Sequence, residues 1–153
     1  SYRIVEFYDV EAQIYATSIA PTMTFGPSFA YHMDDINHVG FRVLAPTMRN
    51  DDVSALSISG FYRRILSQKR TGFYAEGGAS HNIFGRQSTF GSDSALSVEA
   101  GAGISHRITN DFGVGGLAGV SVSQADVKRD SLETHTSEIF VYPRLALYGS
   151  FEF

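Results

Sequence analysis

The most constraining feature of this sequence is a strict two-residue alternation over its last fifteen residues. From Ile139 to Phe153 one parity holds only apolar residues, glycine and proline, whereas the other includes Arg144, Ser150 and Glu152. A period of two is typical of a β-strand whose two faces meet different surroundings. Soluble strands commonly have about 5 to 6 residues, and a tilted bilayer-crossing strand needs about 9 to 11. The length therefore favours a strand that crosses a membrane.

The same alternation recurs along the chain and divides it into eight segments. Besides the last segment, it is regular over residues 73–80, 96–105 and 112–123, and weaker over 23–31, 39–45 and 56–62. Because consecutive segments are joined by short connections, neighbouring strands should run antiparallel. We predict an all-β fold, an eight-stranded antiparallel up-and-down transmembrane barrel, in which residues 1–153 form a single domain.

Three positions break the strand pattern. Glu6 falls on the otherwise apolar face of the first segment, residues 2–15, which predicts a bulge or a later strand start. Pro27 and Pro143 lie inside predicted strands, where proline cannot donate a ladder hydrogen bond. We therefore expect a bulge or a strand end at each proline.

Bulk composition gives a different impression from the residue order. The chain has 153 residues, of which 43% are hydrophobic and 18% charged, with no cysteine and a net charge of −4. The missing cysteines exclude disulfides and thiolate metal sites, and the acidic balance argues against nucleic acid as a partner. No apolar run reaches the roughly 18 to 20 residues of a membrane-spanning helix.

The connections between the segments alternate in length, as in barrels with short turns at one rim and longer loops at the other. Short connections are predicted at 33–37, 67–71 and 109–111, and longer loops at 46–52, 85–93 and 124–137. The exception is the first hairpin, around Thr17 and Ser18, where a long loop should stand. The alternation places both chain ends at the rim with the short turns.

Aromatic residues of the apolar face gather near the rim that holds the chain ends. The predicted girdle consists of Phe29, Tyr31, Tyr62, Phe73, Phe112, Phe151 and Phe153. Such girdles mark the membrane interface of a barrel wall. A water-soluble barrel or sandwich also alternates, but its outer face would have to be the one rich in Gly, Ser, Ala, Glu and Arg, which better suits a narrow interior.

The C-terminal segment Leu145–Phe153 resembles the C-terminal signal of bacterial outer-membrane β-barrels, with Gly149, Phe151 and Phe153 as its characteristic residues. It departs from the common form, because Tyr148 stands where glycine usually precedes the terminal aromatic residue and Gly149 follows. The whole chain resembles the OmpA-type and OmpX-type class of small barrels. The resemblance implies integral outer-membrane location after signal-peptide removal, with lipid, lipopolysaccharide and the barrel assembly machinery as partners.

The polar parity places a set of charged residues on the inner face. They are Asp9, Glu11, Arg42, Arg63, Glu76, Glu99 and Arg144. An eight-stranded lumen is just wide enough for side chains to fill it, and desolvated charges persist only when they are paired. We expect a packed ionic plug. A narrow ion path, opened by exchange of partners among these charges, is the alternative.

The resemblance also implies a possible catalytic function, because some small outer-membrane barrels are lipid A hydrolases or acyltransferases, which need a nucleophile, a base and an acid at one rim. Ser80 and His81 are adjacent on a strand and should point to opposite faces. The other candidates are Ser105 with His106, and His135 with Glu133 or Glu138. No nucleophile-elbow pattern accompanies them, so we predict no catalytic residues.

The histidines are spread over both rims without the spacing of metal ligands, and no metal or other cofactor is predicted. They are His32, His38, His81, His106 and His135. Four basic residues of the predicted external loops, Arg49, Arg86, Lys128 and Arg129, could contact lipopolysaccharide phosphates. Solvated loop charge is the simpler interpretation, because Asp126, Asp130 and Glu133 lie nearby.

We expect a non-enzymatic membrane anchor or adhesion-type protein that presents its external loops to lipid or to a protein partner. A small-solute channel, an outer-leaflet lipid A hydrolase and a soluble ligand-binding barrel are the alternatives.

Overall fold

The computed structural model describes residues 4–14, 21–46, 55–84, 94–128 and 135–152. Eight antiparallel strands form a closed barrel in chain order, which confirms the predicted fold. The strands are β1 (Ile4–Ile14), β2 (Pro21–His32), β3 (Asn37–Pro46), β4 (Ala55–Ile65), β5 (Thr71–Phe84), β6 (Ser94–Arg107), β7 (Phe112–Lys128) and β8 (His135–Glu152). No helix that could cross a membrane occurs among the described residues.

The barrel closes where β1 pairs with β8, from Val5 opposite Glu152 to Gln13 opposite Arg144. Following paired residues from Glu152 once around the wall leads back to β8 at Tyr142, ten residues away. A shift of this size over eight strands corresponds to a strand tilt of roughly 40°. The registers therefore fix both the tilt and the width of the barrel.

The bulges predicted at Glu6, Pro27 and Pro143 are wrong. Glu6 and Pro27 lie within an uninterrupted β1–β2 register, opposite Phe29 and Tyr8 respectively. The β2–β3 ladder skips Gly26 and Pro27 but resumes in the same register. Pro143 pairs with Val120 of β7, and β8 continues past it although its pairing with described β1 residues stops at Arg144. At each proline, pairing is lost with the neighbouring strand on one side only. No extra residue is inserted, because the neighbouring strand on the other side stays in register.

The loop predicted over residues 124–137 is shorter than expected. Strand β7 continues to Lys128 and β8 begins at His135, with Lys128 opposite His135. The polar residues of this stretch suggested a loop. Several of them instead belong to the ends of β7 and β8, which extend beyond the apolar part of the outer wall and so need no hydrophobic side chains. The two longest strands of the barrel, of 17 and 18 residues, thus form its last hairpin.

Short turns join the strands at the rim of the chain ends, and their polar side chains satisfy backbone donors. Asp34 accepts hydrogen bonds from the backbone N–H groups of Ile36 (2.9 Å) and Asn37 (2.8 Å) and from the Asn37 side chain. The Asn37 side chain and then the Ile36 N–H lower the pKa of Asp34. In the β6–β7 turn, Thr109 Oγ1 accepts from the Phe112 N–H at 3.0 Å. These contacts fix tight hairpins.

The polarity of the barrel is the reverse of that of a water-soluble protein. Large apolar side chains stand exposed on the outer face, including Leu96 (71%), Leu147 (69%) and Leu145 (57%). The predicted aromatic residues near the short turns follow the same face: Tyr31, Tyr62, Phe73 and Phe151 are exposed, Phe29 and Phe112 are half-buried, and Phe153 lies outside the described residues. Arginine and glutamate side chains are buried inside.

Closure between β1 and β8 is testable with an engineered disulfide, because the chain has no native cysteine. Val10 lies directly opposite Leu147. We expect Val10→Cys with Leu147→Cys to cross-link under mild oxidation, since directly opposed Cβ atoms lie about 4.5 to 5.5 Å apart. Faster migration on non-reducing denaturing gels reports the bond. The pair Val10→Cys with Val141→Cys, six residues out of register, should stay reduced; equal cross-linking of both pairs would contradict the closed register.

Candidate functional site: the charged lumen

Five charged side chains from five different strands meet inside the barrel. Arg42 lies on β3, Arg63 on β4, Glu76 on β5, Glu99 on β6 and Arg144 on β8, and none is more than 7% exposed. Each was expected on the inner face from residue parity alone. Strand tilt brings residues of different sequence position to similar depth, so that opposite charges face one another across the lumen.

Glu76 is the centre of this network because it binds two arginines. Its Oε1 accepts from Arg42 Nη2 at 2.6 Å. Its Oε2 accepts from Arg63 Nη2 at 2.7 Å and from Arg63 Nε at 3.0 Å. Arg63 is directly opposite Glu76 in the β4–β5 ladder, so backbone pairing itself sets up this contact. Charge-assisted bonds of this kind are the strong ones, and in a desolvated lumen they are what makes the burial of charge tolerable.

A second ion pair joins Arg144 of β8 to Glu99 of β6, next to the Glu76 contacts. Arg144 Nη1 donates to Glu99 Oε2 at 2.5 Å and lies 4.0 Å from Glu76 Oε1. One guanidinium therefore stands beside both carboxylates. The described part of the lumen network contains three arginines and two glutamates, linked through Glu76 and Arg144 into one cluster.

Aromatic rings pack against glycines of the neighbouring strand and narrow the same part of the lumen. Phe61 lies opposite Gly40, Tyr74 opposite Gly103, and Tyr148 opposite Gly115. A Cβ atom added at Gly103 would lie 2.1 Å from Tyr74 Cζ, and one added at Gly115 would lie 2.4 Å from Tyr148 Cζ. The missing side chains leave the space in which these rings lie flat on the wall.

These rings also surround one of the charges. The Arg63 guanidinium carbon lies 4.2 Å from the centre of the Tyr74 ring, 5.2 Å from that of Tyr148 and 5.4 Å from that of Phe61. Arg42 lies 4.4 Å from the Phe61 ring centre. Cation–π contacts in a desolvated site add to the ion pairs. The charged cluster of the described lumen is therefore packed against aromatic rings. These ring contacts were not among the predicted features, although the alternation Tyr142, Arg144, Ala146, Tyr148 indicates rings on the inner parity.

The remaining predicted residues fall partly outside the structure. The backbones of Asp9 and Glu11 pair with Gly26 and Thr24, but their side chains are outside the described part. Lys128 is described only as the end of β7. Arg49, Arg86, Arg129 and Phe153 lie outside the described residues. Of the proposed assembly signal, Gly149 and Phe151 lie on β8, where Phe151 packs on Phe112 with 5.0 Å between ring centres.

Among the described candidates, neither Ser80 with His81 nor Ser105 with His106 forms a nucleophile–base pair. Ser80 is buried in the lumen and His81 is exposed outside. His106 Nδ1 lies 2.7 Å from Thr71 Oγ1, on the outer wall. Glu133 and the side chains of His135 and Glu138 are outside the described part. Within the described ranges, no group of three His, Asp or Glu residues is arranged to hold a metal ion.

Two histidines that looked scattered in the sequence are in contact. His32 and His38 face each other across the β2–β3 hairpin with their rings stacked at 3.8 Å between centres. The sequence contains a signal for this contact, because the two histidines flank the predicted turn at 33–37 symmetrically and should therefore lie opposite each other. They lie at the short-turn mouth of the lumen, beside Arg63.

Comparison with known proteins identifies the fold. No protein family model and no curated protein sequence matches the chain. Three solved structures match over nearly their whole length: the N-terminal β-barrel domain of Pseudomonas aeruginosa OprF (TM-score 0.61, 16% identity, 98% of this chain and 97% of that one), Neisserial surface protein A (0.61, 14%, 99% and 97%) and the E. coli outer membrane protein W (0.59, 15%, 100% and 98%).

The chain has the fold of the small outer-membrane β-barrels. At 14–16% identity the similarity shows a shared fold but not a shared function, because unrelated functions occur on one fold.

The packing of rings on glycines predicts unequal effects at two adjacent glycines. Gly115→Ala places a Cβ against Tyr148 and 2.7 Å from the Ile104 carbonyl oxygen, whereas at outward-facing Gly116 the nearest atoms are 3.4 Å away. We expect Gly115→Ala to lower the free energy of unfolding by about 1 to 3 kcal/mol and Gly116→Ala to change it by less than about 1 kcal/mol. Urea titration in lipid vesicles, followed by the shift between folded and unfolded gel bands, measures both. Equal effects would argue against the ring contact.

Proposed function

We propose that this chain is an integral outer-membrane protein that anchors in the bilayer through a closed, plugged barrel and presents its long-loop rim to the outside. The observation that carries the proposal is the inverted polarity of the wall: exposed leucine, isoleucine and valine outside, buried arginine and glutamate inside. In hydrocarbon, every backbone donor and acceptor has to be paired within the protein, and a closed barrel achieves this. The fold shared with outer-membrane barrels supports the same location.

A closed lumen is supported by how the charges are held. Glu76 is bonded to two arginines, Arg144 stands beside both carboxylates, and Arg63 is surrounded by three aromatic rings. Breaking a buried ion pair strands an uncompensated charge and costs about 3 to 5 kcal/mol. Opening a water-filled path through this cluster would require several such contacts to separate together.

An outer-membrane location implies lipid, lipopolysaccharide, the assembly machinery and a protein as the proposed partners. Outer-membrane lipid would cover the apolar band, and lipopolysaccharide phosphates would meet the basic residues of the long-loop rim, Arg49, Arg86, Lys128 and Arg129. The β8 strand, with Gly149 and Phe151, would be the segment that barrel assembly machinery recognises. A protein partner would bind at the long-loop rim, which includes the last hairpin.

A narrow ion channel is the second candidate, and one distance favours it. Because Arg144 Nη1 lies 4.0 Å from Glu76 and 2.5 Å from Glu99, it could transfer between the two carboxylates without leaving the lumen. If Arg144 moved from Glu99 to Glu76, its side chain would obstruct a different part of the lumen. The same cluster thus supports either a permanent plug or a gate, and conductance distinguishes them.

Insertion into a bilayer predicts a strong position dependence for added charge. Leu145 lies six residues along β8 from Phe151, about 15 Å above the aromatic rim at a tilt of roughly 40°. We expect Leu145→Arg to destabilise the protein in lipid vesicles by about 2 to 4 kcal/mol, because the charge would lie near the bilayer centre. Ser137→Arg, also exposed but above the apolar band, should cost less than about 1 kcal/mol.

Urea titration in vesicles with heat-modifiable gel migration measures both variants. In water, an arginine at an exposed leucine position would be nearly neutral. Equal stability of Leu145→Arg and Ser137→Arg, together with wild-type protein that is monodisperse without detergent, would therefore contradict the membrane proposal.

Planar-bilayer recording distinguishes the plug from the channel. We expect no steady conductance from the wild-type protein, because in the proposed plug the five-residue cluster would block the lumen. Glu76→Gln removes the carboxylate shared by Arg42 and Arg63 and should lower the free energy of unfolding by about 3 to 5 kcal/mol. Asp111→Asn removes an equal charge from an exposed turn and serves as the control. Steady wild-type conductance that is lost in Glu76→Gln but kept in Asp111→Asn would refute the plug and establish the channel.

A further inference from the structure

The outer wall of the barrel contains an apolar groove of about 710 Å³ that crosses strands β5 to β8. Ala102, Gly116 and Ala118 line it and protrude little from the wall, whereas Ile104 and Leu147 stand beside them with larger side chains. Every residue that lines the groove is apolar or glycine. Its volume lies within the range of about 300 to 1,000 Å³ that is usual for small-molecule sites. We call this depression the wall groove.

The strand register sets the depth of the wall groove. One row of paired residues across the groove consists of Phe73, Ile104, Gly116 and Leu147. The next row, further from the short turns, includes Ala102, Ala118 and Leu145. Phe73 belongs to the aromatic residues near the short turns, and Leu145 would lie near the bilayer centre. In the proposed membrane location, the groove therefore extends from the interface on the short-turn side into the hydrocarbon.

A second, polar cavity of about 90 Å³ follows the wall groove at the short-turn rim. Strand β6 joins the two, because Gly103 and Ile104 line the groove and Ser105 and His106 line this rim cavity. Two residues of a strand span about 7 Å, so the polar side chains begin within that distance of the apolar ones. His106 is held on the outer wall by Thr71, whose Oγ1 lies 2.7 Å from His106 Nδ1.

The rim cavity has more positive than negative charge. Lys69 and Arg70 line it, and Asp111 is the acidic residue among its described lining residues. The Arg107 side chain also lines it but has interactions of its own within the protein, and the excess of positive charge does not depend on it. Arg70 Nε donates to the Arg107 carbonyl oxygen at 3.2 Å, which holds the Arg70 guanidinium at this rim.

We propose that the wall groove and the rim cavity together bind one anionic glycerophospholipid, with an acyl chain in the groove and the phosphate at Lys69 and Arg70. This inference rests on the proposed membrane function. An acyl chain suits a lining without polar side chains, and arginine and lysine bind phosphate through charge-assisted hydrogen bonds. Along β6 the apolar groove lies deeper and the cations lie at the interface, which is the order of chain and phosphate in a bilayer lipid.

A second copy of the chain suits this surface less well than a lipid does. Two copies in one membrane would be related by an axis along the bilayer normal, so the same cationic rim of each copy would face the other. The wall of a barrel is convex, whereas the groove is a depression. A flexible chain with an anionic end meets both conditions.

The test uses nanodiscs that each hold one copy of the full chain in phosphatidylcholine with rising fractions of phosphatidylglycerol. Backbone amide shifts of Ala102 and Ala118 report the groove, and those of Asn110 and Gly113 report the rim cavity. We expect both sets of shifts to move together and to saturate. Diacylglycerol lacks the phosphate and glycerol phosphate lacks the chains, so neither should reproduce both sets.

Two pairs of variants separate the two parts of the site from general effects. Ala118→Leu fills the groove, and we expect the phosphatidylglycerol fraction at half-saturation to rise by about threefold or more. Ala79→Leu adds the same side chain at an exposed wall position outside the groove and should change the fraction by less than about 1.5-fold.

The second pair tests the rim. Arg70→Gln removes one cation of the rim cavity and should raise the fraction at half-saturation by about fivefold. Arg64→Gln removes an exposed cation that does not line the rim cavity and should change it by less than about twofold. Heat-modifiable migration confirms that each variant is folded.

A saturable response that weakens in Ala118→Leu and Arg70→Gln but not in their controls supports the lipid site. Shifts that grow linearly without saturation would indicate ordinary contact with bulk lipid and overturn it, and equal weakening in Arg64→Gln and Arg70→Gln would reduce it to surface charge. The same shifts in pure phosphatidylcholine discs that hold two chains would place a second copy in the groove and also overturn it.

These outcomes are distinguishable from failure of the membrane proposal. An unsaturated response from folded protein inserted in nanodiscs would overturn the lipid site alone. Protein that fails to insert and is monodisperse without detergent would overturn both.

Discussion

The closure of β1 onto β8 with a ten-residue shift is the constraint on which the rest of this structure depends. Without it, two strand edges would stand bare, which hydrocarbon does not tolerate. With it, strand number and shift together fix a lumen that side chains can just fill. The apolar outer wall and the burial of charge in the lumen both follow from a cylinder of this width.

In the described part of this narrow lumen, most large side chains have a small neighbour across the ladder. Tyr74 faces Gly103, Tyr148 faces Gly115, Tyr142 faces Ser121 and Arg144 faces Gly119. The same rule holds for Phe61 between Gly40 and Gly78, and for Glu99 between Gly78 and Ser121. Glycine and serine on the inner parity are therefore part of the packing of the core, because each leaves the volume that an opposing ring or charged group occupies.

Strand number, topology and the inward position of the five described lumen charges could be predicted, because a period of two assigns every residue of a strand to one face. Contacts across the lumen could not, because they depend on the register and shift of all eight strands. The stacking of His32 on His38 and the rings around Arg63 are such contacts. The prediction of a bulge or strand end at Pro27 and at Pro143 was wrong. Proline normally interrupts a strand, but here the ladder on one side of each strand continues through the proline. It also misled at 124–137, where polar strand ends look like a loop.

Arg63 departs from the pairing of large with small residues, since its ladder neighbours are His38 and Glu76. With no small neighbour to make room beside the wall, its side chain extends into the lumen, where rings from β4, β5 and β8 lie around the guanidinium. On one side the guanidinium binds Glu76, and on the other it lines a polar cavity of about 410 Å³ at the short-turn mouth of the barrel. The same residue therefore lies at the boundary between the charged cluster of the lumen and this cavity.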